Sequence, residues 1–254
     1  MIRQKLQAAG LQALKRCVGC RPVTLRIWNG PLKGYRWRFD ASSNNEVILG
    51  VWEYNMQSLY ARYLRSGDVV FDLGAHHGFL AMLAARIVGE RGSVHAFEAS
   101  VTNFSKMVDN FALNRVSNCT PVHAAVSDHD GYLDFSVTVH DNSNTYIRSS
   151  PYFENQPTVL VPALSLDAYV EASHPPLPDF MKVDVEGAEY EALEGAERLL
   201  RAKRPLLYLE THNRHNPGVD EQCLKLLDGL GYGIVETIDR FCDNSAASYI
   251  LSTR

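Results

Sequence analysis

No apolar run in this chain of 254 residues approaches the ~20 residues a membrane-spanning helix needs. No excess of one charge sign stands out either. Lys and Arg total 25 against 29 Asp and Glu, a net charge of -4, and no basic run occurs. Nothing in that balance calls for nucleic acid as a partner. Internal repeats and low-complexity segments are missing. With 46% hydrophobic and 21% charged residues, this argues against a disordered chain, a collagen and a coiled coil. Cys17 and Cys20 form a Cys-x-x-Cys pair with no second such pair to complete a zinc site. Five cysteines is an odd number in a chain large enough to build its own core, so disulfides are not needed and a reducing compartment is expected. Arg3, Lys5, Lys15 and Arg16 interrupt any leader-like apolar stretch. The expectation is a cytoplasmic protein without a membrane span.

What is present divides near residue 65. Before it, Leu6, Leu11 and Leu14, with Ala13, suggest a short amphipathic helix. Val23 to Trp28 and Tyr35 to Phe39 alternate as strands do, around the turn signal Asn29-Gly30. Val51, Trp52, Leu59, Tyr60 and Leu64 then recur at helical spacing. Residues 1–65 are expected to form an appendage of helix, hairpin and helix on a main domain of residues 66–254. From Gly67 onward strand-like and helix-like segments alternate, including Val69 to Phe71, Phe79 to Val88, Ser93 to Phe97, Val101 to Leu113, Cys119 to Ala125, Phe180 to Val183 and Ala188 to Leu200. Such alternation predicts a mostly parallel sheet with helices on both faces. The stretch from about 132 to 161 breaks the rhythm and predicts an inserted antiparallel pair joined by a polar loop through Asn142, Ser143 and Asn144.

The segment Asp72-Leu73-Gly74-Ala75-His76-His77-Gly78 follows the first strand of the alternating region and opens a helix. Ligands of open α/β sheets bind beyond the carboxyl ends of the strands. A dinucleotide site has Gly-x-Gly-x-x-Gly, which brings a helix N-terminus to a pyrophosphate. Here the middle glycine is absent and an acid precedes the turn. A carboxylate would repel a pyrophosphate but suits a sulfonium or ammonium, so S-adenosylmethionine fits better than NAD. Glu98 ends the next strand, about 20 residues on, where an acid accepts hydrogen bonds from ribose hydroxyls.

Lys182-Val183-Asp184-Val185-Glu186-Gly187-Ala188-Glu189 ends a later strand and opens another helix. Lys182 and Asp184 share one strand face. Glu186 and Glu189 are explained in part by the helix macrodipole, which favours acids at a helix start. Asp184, ending an apolar strand, is not. Glu210-Thr211-His212 ends the following strand and should lie beside it. Asp184, Glu186 and His212 could serve proton transfer or hold a divalent metal. No metal is predicted, although one stays open.

Together these stretches resemble the FkbM family of S-adenosylmethionine-dependent methyltransferases. The similarity runs from Gly67-Asp68-Val69-Val70-Phe71-Asp72-Leu73-Gly74-Ala75 through His95-Ala96-Phe97-Glu98, Ala124-Ala125-Val126-Ser127-Asp128 and Ser165-Leu166-Asp167 to Lys182–Glu189, Arg204-Pro205 and Glu210. The resemblance implies a Rossmann-like class I fold, an α/β architecture with a seven-stranded sheet whose last strand is antiparallel. It implies a methyl acceptor that is a hydroxyl of a sugar or secondary metabolite. Asp72, Gly74, Ala75, His76 and Gly78 would then hold the methionine end of the cofactor, and Glu98 its ribose. Ala125 and Asp128 would lie by the adenine, and Glu53 would close over the site. Asp184 would sit near the methyl group, with Glu186 and His212 as further catalytic candidates. Two departures stand out: His76 and His77 replace the usual Asn and apolar residue after Gly-Ala, and Ala99 replaces the usual Pro after Glu98. Tyr35, Trp37, Trp52, Tyr54, Tyr146 and Tyr152 could stack on a ring of the acceptor, or be ordinary packing aromatics. The competing readings are a nicotinamide-dependent oxidoreductase, a non-catalytic cofactor-binding module on the same fold, and a nucleic-acid methyltransferase, which the net charge of -4 and the lack of a basic run disfavour.

Overall fold

The computed structural model describes residues 10–12, 14–17, 21–40, 43–136, 157–240 and 245–253. Its centre is a seven-stranded sheet. The strands are β3 (Val69–Leu73), β4 (Ser93–Glu98), β5 (Cys119–His123), β9 (Phe180–Val183), β10 (Leu206–Thr211), β11 (Tyr232–Arg240) and β12 (Ala247–Thr253). They lie in the order β11-β12-β10-β9-β3-β4-β5. Strands β5, β4, β3, β9 and β10 run parallel, and β12 is antiparallel to both neighbours. The expected architecture, with an antiparallel last strand, is the observed one.

Alternation along the strands explains why the sheet is covered on both faces. Val70, Val94, Ala96, Phe180, Tyr208 and Ile250 enter one core, while Phe71, Leu73, Phe97, Met181, Val183, Leu207 and Leu251 enter the other. The first core is closed by the helices Phe79–Val88 (α3) and Val101–Asn114 (α4), the second by α5 (Leu166–Ser173), α6 (Glu189–Glu194), α7 (Glu197–Lys203) and α8 (Val219–Gly229). Pro121 sits inside β5, which is tolerated because β5 is an edge strand.

The N-terminal segment forms the antiparallel hairpin β1 (Val23–Arg26) and β2 (Arg36–Phe39), then the helices α1 (Asn45–Leu49) and α2 (Tyr54–Tyr63). Leu11, Trp37, Phe39, Ile48 and Tyr60 belong to the same buried cluster as Val70 and Phe180. The helix read from Val51 to Leu64 begins only at Tyr54 in the structure, and the short helix α1 before it was not foreseen. Gly50 ends α1 at φ +74, and a Cβ there would stand 2.0 Å from the Asn29 carbonyl oxygen. Val51 and Trp52 therefore lie in the turn between two helices. The helix expected over Ala188 to Leu200 is likewise divided at Gly195, whose missing Cβ lets the Ser127 carbonyl approach.

The inserted antiparallel pair is present as β7 (Gly131–Ser136) with β8 (Thr158–Leu164). The strand expected over Cys119 to Ala125 ends earlier. After His123 the chain leaves the main sheet, and β6 (Ala125–Val126) pairs parallel with β8. Asn142, Ser143, Asn144, Tyr146, Tyr152, Leu6, Ala13 and Cys20 lie outside the described residues. Among the described residues, no helix is long and apolar enough to cross a membrane.

Candidate active site

The chain crosses from one side of the sheet to the other between β3 and β9, the strand pair at its middle. A cavity of about 220 Å³ opens at their carboxyl ends, where ligands of this sheet type bind. Asp72, near the end of β3, is opposite Lys182 of β9 in the register. Lys182 is buried, with its Nζ 3.3 Å from Asp72 Oδ1 and 3.1 Å from Asp184 Oδ2, and it donates to the Gly74 carbonyl at 3.1 Å. Burial opposes the Lys182 charge, but the two carboxylates outweigh it and raise its pKa well above the usual lysine range. Asp72 is fully buried, and neither carboxylate oxygen has a hydrogen-bond partner beyond the Lys182 charge contact. Burial raises its pKa, with Lys182 opposing.

The turn after β3 is shaped by its neighbours. Gly74 has φ +79, and a Cβ would fall 1.9 Å from the Asp184 carbonyl oxygen. At Gly78, φ is +82, and a Cβ would strike Phe111 and Met107 of α4. These glycines thus serve close packing of the turn against β9 and α4, a reason the sequence alone did not give. His76 adopts φ +52. That left-handed region favours Asn and His among residues with side chains, so the backbone here accommodates a His. The His77 ring is buried, with Nε2 3.1 Å from Asn103 Oδ1, and stacks on His76 with 3.8 Å between ring centroids. Burial takes its pKa well below the ordinary value.

Glu98 lies across the cavity. Its Oε2 accepts the His76 backbone N–H at 2.8 Å and its Oε1 that of Ser100 at 2.9 Å. Burial pushes its pKa up to about 7, against the pull of those backbone N–H groups.

A second group of acids stands at the ends of β9 and β10. Asp184 and Glu186 line the cavity. Burial would raise the Asp184 pKa, but Lys182 and His212 hold it below the ordinary value. Glu186 sits at φ +57, and its carboxylate lies 3.1 Å from His215 Nδ1. Glu210 receives the Tyr208 hydroxyl at 2.6 Å, and burial together with the Asp184 charge pushes its pKa up to about 7. Donor atoms of Asp184, Glu210 and His212 all lie within 4.8 Å of one another, a spacing at which three side chains can share a divalent cation. His212 Nε2 itself faces those carboxylates, and a protonated ring supplies positive charge there.

Of the residues expected at the site, Glu53, Asp72, Gly74, Ala75, His76, Glu98, Ala125, Asp184 and Glu186 line one cavity. Glu53 enters it from α2's N-terminus at φ +50, and burial and the Asp184 charge raise its pKa. Gly78, His212 and Asp128 are outside the lining. Gly78 packs on α4, His212 lies behind Asp184 and Glu186, and the Asp128 carboxylate engages Ser127 Oγ at 2.9 Å and the His129 ring. Trp37 and Trp52 line the cavity, while Tyr35 and Tyr54 do not. Asn44 and Asn103 were not foreseen there, because their approach depends on how α1 and α4 pack, while Lys182 reaches the lining from the strand face it shares with Asp184. Glu189 was read from its helix position alone. It is fully buried and bonds His212 Nδ1 at 2.8 Å.

This sheet order, mostly parallel with an antiparallel strand near one edge, is that of a Rossmann-like class I methyltransferase fold. The chain belongs to the FkbM methyltransferase family: the model of the methyltransferase FkbM domain matches residues 72–234, more than half of it. The hexuronic acid methyltransferase AglP of Haloferax volcanii is 25% identical over 176 residues, which are 67% of this chain and 69% of that one. The fold is similar to that of a putative rRNA methylase from Clostridium thermocellum (TM-score 0.50, 13% identity, 80% of this chain and 97% of that one). A methyltransferase FkbM from Methylobacillus flagellatus KT has a TM-score of 0.49 and 18% identity. That match covers 75% of this chain and 45% of the other, so the chain spans less than half of that protein's length.

Proposed function

We propose that this chain is an S-adenosylmethionine-dependent O-methyltransferase that acts on a hydroxyl of a sugar or a similar polyhydroxylated small molecule. The observation that carries the reading is the Asp72 carboxylate, buried at the cavity wall with Oδ2 unpartnered and Oδ1 met only by the Lys182 ammonium at 3.3 Å, which Asp184 shares. A buried polar group without partners is costly, and a cationic, hydrogen-donating ligand relieves that cost. Glu98, set across the cavity, suits ribose hydroxyls. When bound, the cofactor supplies an electrophilic methyl group on a sulfonium.

The residues of the chain do the rest. Asp72 and the backbone of the Gly74–Gly78 turn hold the methionine end. Glu98 accepts from the ribose, Ala125 flanks the adenine, and Glu53 closes the opening from α2. Asp128, outside the cavity lining, is left with an indirect role through Ser127. Asp184 receives the acceptor hydroxyl and aligns its oxygen with the methyl group. Its lowered pKa keeps it ionised, ready to accept that hydrogen bond. Glu186 stands beside it as a second proton acceptor. Trp37 and Trp52 offer flat apolar surface to a sugar ring. The hydroxyl class rests on the FkbM resemblance, and the sugar class on the similarity to a hexuronic acid methyltransferase. Trp37, Asn44, Val47, Trp52 and Glu53, from the N-terminal appendage, supply one wall of this pocket, and the seven-stranded sheet supplies the catalytic acids. A cytoplasmic location accords with the supply of the cofactor.

Incubation with methyl-labelled S-adenosylmethionine and a panel of neutral sugars, hexuronic acids and their glycosides tests the reading. Mass spectrometry should detect a methyl ether in one product. Asp184→Asn should slow its formation about 10²–10⁴-fold, the usual contribution of a proton acceptor. Labelled methyl found only as an ester or on nitrogen would exclude O-methylation of a hydroxyl.

A further inference from the structure

We propose that Glu189 is a positioning residue that fixes the His212 ring, so that His212 Nε2 faces the carboxylates of Asp184, Glu186 and Glu210. Its functional meaning rests on the role proposed for Asp184 and Glu186; the ring geometry does not.

Glu189 opens α6 and is fully buried, which is unusual for an acid without a partner. Its Oε1 accepts from the Gly187 backbone N–H at 2.7 Å and meets His212 Nδ1 at 2.8 Å. A carboxylate can only accept, so Nδ1 carries the proton in this bond. The opposite nitrogen, Nε2, then lies 3.6 Å from Glu186 Oε2 and 3.8 Å from both Asp184 Oδ1 and Glu210 Oε1. The groups facing the ring are thus Glu189 from α6, Asp184 and Glu186 from the loop after β9, Glu210 from β10, and His215, whose ring is parallel at 5.7 Å. Burial opposes a charged ring, but the Glu189 bond and the surrounding acids outweigh it and raise the His212 pKa to about 10.

The arrangement gives three clustered acids a fixed positive partner. Asp184 and Glu186 line the cavity, while His212 and Glu189 lie behind them. Without Glu189 the ring is free to turn, and the orientation of both carboxylates loosens with it. A buried acid that orients an imidazole through one nitrogen, leaving the other for the site, is a recurrent arrangement.

Nitrogen-15 NMR of the His212 ring in chelator-treated buffer at mildly alkaline pH tests the proposal. His212→Asn identifies the signals. The expected result is a protonated Nδ1 that exchanges slowly in the wild type, persists in Glu189→Gln and is lost in Glu189→Ala. The Gln amide oxygen can keep both bonds, and its NH₂ takes the position of Oε2, which has no partner. Should the alanine variant fail to fold, the Gln variant decides alone: the Nδ1 bond persists while the ring loses its proton at a lower pH than in the wild type. An unprotonated Nδ1 in the wild type overturns the proposal. So do His212 signals unmoved by Glu189→Ala, or a Gln variant whose ring titrates as the wild type does. Absence of S-adenosylmethionine binding to the wild type would sink the proposed function while leaving the ring result to stand.

Discussion

Glu98 is the residue at which pH should be felt most directly. Its ionised form accepts hydrogen bonds, and its pKa is about 7. Cofactor affinity should therefore rise as pH increases through about 7 and level off above it. Titrations at several pH values check this, and Glu98→Gln should flatten the curve. The same group has the opposite sign in stability. Folded Glu98 binds its proton more tightly than the unfolded chain, whose reference value is 4.5. Its contribution favours folding at low pH and is lost as pH rises from there through about 7. At this scale the sequence was readable wherever a functional acid ends a strand. Asp72, Glu98 and Asp184 could be picked out because strand ends of such sheets converge. Glu189 could not, because the partner that gives it meaning, His212, reaches it only through the pairing of β9 with β10. His77, read only as a departure from the family pattern, is buried against Asn103 and reaches the cavity lining together with it.

Among the elements, the turn after β3 is the least forgiving. Gly74→Ala forces a side chain into a left-handed conformation, costing about 1–3 kcal/mol. It also drives a Cβ against the Asp184 carbonyl, so the site shifts along with the fold. A lower midpoint of thermal unfolding together with weakened cofactor binding is expected. Gly229→Ala is the counterpart. It closes α8 with no positive φ and nothing within 4 Å of a new Cβ. Alanine there should stabilise by about 0.5–1 kcal/mol without touching the site. Helix boundaries were less legible than helix existence. Gly195 divides a helix that periodicity read as continuous, and only its contact with Ser127 explains why, while the helix read from Val51 starts three residues later, at Tyr54, behind a short helix that ends at Gly50 against Asn29. The early end of β5 follows from the pairing of β6 with β8, which no local pattern announces.

Across the whole molecule, the N-terminal hairpin and the sheet share one core. Trp37 is buried with Phe79 against it at a ring distance of 6.1 Å, in the cluster that includes Val70 and Phe180. Trp37→Ala should cost about 3–5 kcal/mol. Calorimetry should show the loss in one shared unfolding transition, whereas a separate early transition would mean that the hairpin folds apart from the sheet. The mostly parallel sheet was legible because strand and helix patterns alternate from Gly67 onward, whereas the count of seven strands and the antiparallel last one came from the family resemblance; the turn chemistry then selected among cofactors. The cavity between Asp72, Glu98 and Asp184 is expected to take S-adenosylmethionine. Calorimetric titration of the purified chain tests it most directly, with NAD as the control and Asp72→Asn as the variant. Saturable binding of S-adenosylmethionine is expected, with none of NAD and an affinity loss of about tenfold or more in the variant, equivalent to about 1.4 kcal/mol. A folded wild type that binds no S-adenosylmethionine, or binds it equally well without the Asp72 carboxylate, would contradict that expectation.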